Sequence, residues 1–85
     1  MNLDDIRKEI DAIDDQIAAL LNKRMEIVAK VAEYKKQTGT GIADNKRENE
    51  ILARVCTGEN GAELKLVFEK IMEISKLKQK KLIDN

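Results

Sequence analysis

Arg24 and Lys35 lie in a segment, LDDIRKEIDAIDDQIAALLNKRMEIVAKVAEYKKQ, whose aliphatic residues recur every three or four positions with no Gly and no Pro. Take Arg24 as the zero of a helical wheel at ~100° per residue. Ile6, Ile10, Ile13, Ile17, Leu20, Val28 and Val31 then fall within roughly 40° of it, and Lys35 within about 20°. Two cations occupy the middle of an apolar stripe. A buried unpaired charge costs on the order of several kcal/mol, so something anionic is expected opposite them. They are ~16 Å apart along one face, close enough for two long side chains to converge on one small molecule.

The rest of the chain breaks its pattern in the same direction. Glu48 lies within roughly 60° of Ile51, Leu52 and Val55, on the side a second helix would bury, with Arg47 beside it on the flank. Ser75 and Gln79 share a stripe with Leu64, Phe68, Ile71 and Leu82. Each position alone has an ordinary structural explanation. An arginine in an apolar stripe can snorkel or pair with a carboxylate, and a serine or glutamine on a helix can be a satisfied core group. Inward breaks on all three segments are harder to explain that way, because violated local rules gather at functional sites. The set offers guanidinium, ammonium, amide and hydroxyl donors with one carboxylate. The chain has no histidine, and Cys56, read as a buried small residue, has no base partner. This argues against covalent and histidine-based catalysis. It favours binding a small multi-anion and stabilising charge that develops on it. Arg7 is ~25 Å from Arg24 along the same helix and rotated by about 100°, so any site it serves belongs to another copy of the chain.

These groups need elements to hold them, and composition bounds what those can be. The 85 residues suffice for one small domain, read as residues 1–85. Sixteen basic and sixteen acidic residues leave no net charge, and only Tyr34 and Phe68 are aromatic, so a nucleic-acid partner is not expected. A single cysteine excludes an internal disulfide and a cysteine-based metal cluster. The charged opening is unlike a signal peptide, and no apolar run approaches ~18 residues. No membrane partner and a cytoplasmic location are the expectation.

Periodicity and breakers predict an all-α fold of three helices, at about residues 3–37, 45–56 and 62–83. Asp4 and Asp5 suit the start of the first helix; Lys35 and Lys36 suit its end before Thr38-Gly39-Thr40-Gly41. Asp44 is a good N-cap for the second, and Thr57-Gly58-Glu59-Asn60-Gly61 makes the turn to the third. Ile74 and Leu77 point away from the third helix's main stripe, which suggests an intersubunit contact. A helix of roughly 35 residues is ~52 Å long, whereas a compact globule of this size is only ~31 Å across. The excess predicts an intertwined symmetric homodimer; a first helix bent into a hairpin would need a break that the sequence does not contain.

At these residues the chain resembles the all-helical (AroQ-type) chorismate mutases. The matching elements are Arg7 in LDDIRKEIDAID, Arg24 in LLNKRMEIVAKV, Lys35 in AEYKKQ, the run Asp44-Asn45-Lys46-Arg47-Glu48, and Ser75 with Gln79 in EISKLKQ. No piece is specific alone; D-x-x-R-E after a loop, in register with the others, is a strong joint signal over essentially the whole chain. The resemblance implies an intramolecular Claisen rearrangement of chorismate to prephenate in phenylalanine and tyrosine biosynthesis, with no cofactor, metal or covalent intermediate. It also implies roles. Arg7 of the partner subunit and Arg24 would bind the two carboxylates. Lys35 and Gln79 would donate to the ether oxygen, and Glu48 would receive the ring hydroxyl with the Asp44 segment nearby. Arg47 and Ser75 would help hold the substrate.

Two other functions fit parts of the pattern. An isochorismate–pyruvate lyase on the same scaffold would use the same cations, but the Asp44…Arg47-Glu48 set favours the mutase. A non-catalytic helical binding or dimerisation module would explain the first helix, which resembles a coiled-coil strand, but not the polar groups. Such a module would gain from Arg24→Leu, where a site would lose ligand binding.

Overall fold

A computed structural model describes residues 1–84. Three helices follow in order: α1 at Leu3–Thr38, α2 at Asn45–Val55 and α3 at Gly61–Asp84, with no strand among the described residues. The predicted boundaries hold to within a residue. Asn2 caps α1, its side chain accepting from the Asp5 N–H at 2.9 Å. Gly39 ends the helix at φ +72°, a left-handed stop that suits glycine. Asp44 caps α2 as expected, its Oδ1 accepting from the Arg47 N–H at 3.0 Å. The second helix ends one residue early: Cys56 leaves helical geometry and serves as its C-cap. A Cβ on Gly61 would stand 3.0 Å from the Cys56 carbonyl oxygen, so glycine lets the start of α3 approach the end of α2.

The first helix is unbroken, and the hairpin alternative does not occur. The chain measures 55 × 25 × 14 Å with a radius of gyration of 16.0 Å, well above the ~12 Å of a compact domain this long. The third helix packs against both others. Arg24 meets Ser75 and Lys35 meets Gln79, so α1 and α3 run in the same direction. The buried centre is small: Val28, Ala32, Ile51 and Met72, with Ser75 and Gln79.

Several packing expectations need correction. Ala32, only 1% exposed, and Met72 are core residues that the stripe assignment passed over, while Leu82 is exposed. Cys56 is half-buried, because it sits at a helix end beside a turn. Ile6, Ile10, Ile13, Ile17 and Leu20 lie open on the single chain, as does Val31. Ile74 and Leu77 are exposed too, in keeping with their pointing away from the main stripe. No helix among the described residues is long and apolar enough to cross a membrane. Because Ala32 has no spare space, Ala32→Leu is expected to lower folding stability by about 1–3 kcal/mol through overpacking, measurable as a shift in denaturation midpoint.

Candidate active site

The C-terminal half of α1, the start of α2 and the second half of α3 enclose a cleft of about 350 Å³. Its floor is aliphatic, from Val28, Val31, Ile51 and Met72. Its polar groups come from all three helices, each placed by helical periodicity. Arg24 Nη1 donates to Ser75 Oγ at 2.5 Å, and that hydroxyl donates back to the Ile71 carbonyl at 2.8 Å. Lys35 Nζ donates to Gln79 Oε1 at 3.0 Å and to the Ile42 carbonyl oxygen at 2.9 Å. Ser75 and Gln79 are one turn apart, ~6 Å, whereas the two cations start ~16 Å apart on α1. Their side chains do converge across the cleft. No buried side-chain nitrogen or oxygen among the described residues lacks a hydrogen-bond partner, and the oxygens that hold Arg24 and Lys35 are neutral, so they orient the two cations without cancelling their charge.

Arg24, Lys35, Asp44, Arg47, Glu48, Ser75 and Gln79 all line this one cleft. Arg7 does not; it is exposed on the first turns of α1. Arg47 borders the cleft from its flank and lies 4.0 Å from Glu50 in an exposed ion pair. Glu48, on the inner side of α2, is three-quarters covered, and its Oε1 lies 3.3 Å from Lys76 Nζ. Among the described residues that line it, the cations Arg24, Lys35, Arg47 and Lys76 outnumber the carboxylates Asp44 and Glu48, and the cleft is electropositive. Such a lining has the charge to attract a small anion and an aliphatic floor on which a carbon skeleton can rest.

Sequence reasoning missed two contributors. The Ile42 carbonyl is backbone, and nothing in a side-chain pattern marks it. Lys76 follows Ser75 directly, but its pairing with Glu48 depends on the register between α2 and α3, which the intervening turn sets.

Fold and site define an all-α protein with a cleft into which cations from the first helix converge beside a serine hydroxyl and a glutamine amide of the third. The family model for chorismate mutase type II matches residues 6–80. A chorismate mutase from Methanocaldococcus jannaschii is 36% identical over 88 residues, spanning 96% of this chain and 88% of that protein. A bifunctional chorismate mutase/prephenate dehydratase from Buchnera aphidicola is 35% identical over 83 residues, which is 92% of this chain but 22% of that longer protein. The solved structure of a conserved hypothetical protein from Pyrococcus furiosus superposes with a TM-score of 0.79 at 45% identity, covering 91% of this chain and 93% of that one. The chain belongs to the chorismate mutase type II family, and is accordingly an isomerase acting on chorismate.

Proposed function

We propose that the cleft is where chorismate rearranges to prephenate, and that each working site is completed by a second copy of the chain. In this reaction one ether C–O bond breaks as one C–C bond forms within the same molecule, so no group is transferred to the protein. The site has two tasks: to hold the enolpyruvyl arm over the ring, and to stabilise negative charge on the departing ether oxygen.

The convergence of Arg24 and Lys35 on adjacent turns of α3 carries this reading. Arg24, steadied by Ser75, binds one substrate carboxylate. Lys35 supplies an N–H to the ether oxygen. Gln79 accepts from Lys35 through Oε1, which leaves its amide N–H₂ to serve as a second donor. Glu48 takes the ring hydroxyl, Arg47 closes the flank, and Asp44 holds the start of α2 in place. The second carboxylate is left for a cation from outside the chain. Arg7 of a partner supplies it, in a homodimer that also covers the open apolar face of α1.

The test is to incubate the purified chain with chorismate, follow its absorbance and identify the product. Prephenate formed well above the uncatalysed rate is expected. Chorismate loss at the uncatalysed rate alone would overturn the reading, and pyruvate released from isochorismate, without prephenate from chorismate, would assign the lyase instead.

A further inference from the structure

The ion pair between Lys76 and Glu48 stands between two openings. On one side is the cleft already described. On the other, between α2 and α3, is a second recess of about 430 Å³ bordered by Asn45, Asn49, Leu52 and Glu69. Glu48, Met72 and Lys76 line both. The Glu48 side chain therefore has room to turn either way about its flexible torsions, and among the described residues its ionic contact is with Lys76. A carboxylate that must accept from a substrate hydroxyl loses effectiveness when it has to be ordered first.

We propose that Lys76 is a positioning residue for the rearrangement: it fixes Glu48 on the cleft side, through Oε1, so that Oε2 accepts from the ring hydroxyl of the substrate. Lys76 acts through Glu48 and not on the reacting atoms. Its side chain is 40% exposed, so the pair contributes little to folding, and its worth lies in the orientation of Glu48. The inference rests on the reading of Glu48 as the group that receives the ring hydroxyl.

The experiment is a double-mutant cycle in the full chain. Lys76→Met and Lys76→Arg are made with Glu48 intact and with Glu48→Gln. All are assayed on chorismate and on the analogue whose ring hydroxyl is replaced by hydrogen. Lys76→Met is expected to lower kcat/KM for chorismate about tenfold, within the range of coupling between contacting groups. Lys76→Arg should restore most of the loss. In the Glu48→Gln background, and with the hydroxyl-free analogue, Lys76→Met should change kcat/KM by less than about twofold. Its melting midpoint should stay within about two degrees of the parent's. An equal loss in both Glu48 backgrounds would make Lys76 a direct substrate ligand or a structural residue, and no loss at all would leave Glu48 held by other means; either overturns the proposal. A parent chain unable to convert chorismate would remove the Glu48 reading itself. A parent that converts chorismate but prefers the hydroxyl-free analogue would remove it as well.

Discussion

Lys35→Ala is expected to lower the turnover of chorismate by at least about 10²-fold, the loss associated with removing one positioned donor to a developing anion. The ammonium is set by two hydrogen bonds from different elements, one to the Ile42 carbonyl before α2 and one to Gln79 on α3. On the proposed reading, removing it deletes the charge at the ether oxygen, and it also frees the Gln79 amide to turn. The fall should appear mainly in kcat, since a group that acts only as the ether bond opens contributes little to binding the ground state. Lys35→Arg keeps the charge but carries a planar fork in place of a compact ammonium, and it should recover less than about tenfold of the loss. Steady-state kinetics of the two variants beside the parent check this. An alanine variant within a few-fold of the parent would remove Lys35 from the chemical step.

The second large effect is complementation between two inactive variants. Arg7→Ala and Arg24→Leu should each abolish most activity if, as proposed, each deletes a cation facing a substrate carboxylate. Unfolded, mixed in equal amounts and refolded together, they should regain about one quarter of the parent's specific activity. Random pairing makes half of the dimers mixed. In a mixed dimer, the intact Arg24 of one copy meets the intact Arg7 of the other in one site, and both defects fall in the second. If Arg7 served its own chain's site, every site in the mixture would carry a defect and no activity would return. Size-exclusion chromatography with light scattering on the same samples reads the assembly state directly. A monomeric, fully active parent would dispose of the two-copy arrangement.

The architecture was largely legible because it is written in local signals. Asp44 and Gly39 end or begin helices by their own hydrogen-bonding and backbone preferences, and both act as expected. The absence of any breaker in α1 decided against a hairpin. The cleft residues were legible for a different reason: a polar group on an apolar stripe is visible on a wheel whatever it meets. What the wheel cannot supply is depth. Val31 sits in the stripe and Ala32 about 100° round from it, yet in the single chain Val31 is exposed and Ala32 nearly fully covered, because α3 packs against one side of the stripe and not its middle. Met72 was passed over similarly, since its burial depends on where α3 faces α1 and α2 together. Lys76 was missed because an ion pair between helices needs their relative register, and that resides in residues 56–61. The Ile42 carbonyl has no side-chain signature at all.

The contacts of Lys35 also fix a stoichiometry. A protonated amine carries three hydrogens. One is committed to the Ile42 carbonyl and one to Gln79, leaving a single hydrogen uncommitted among the described contacts. Lysine is ordinarily a swivelling point charge, its three donors interchangeable by rotation about the last bond. Here a rotation of about 120° only exchanges the hydrogens and returns the same two bonds, while any intermediate angle weakens both, so the third N–H keeps one direction. The helix end at Gly39 and the loop that brings Ile42 back toward Lys35 thus turn an isotropic cation into a pointer with one vacancy, the form the proposed role at a single charge-developing oxygen requires.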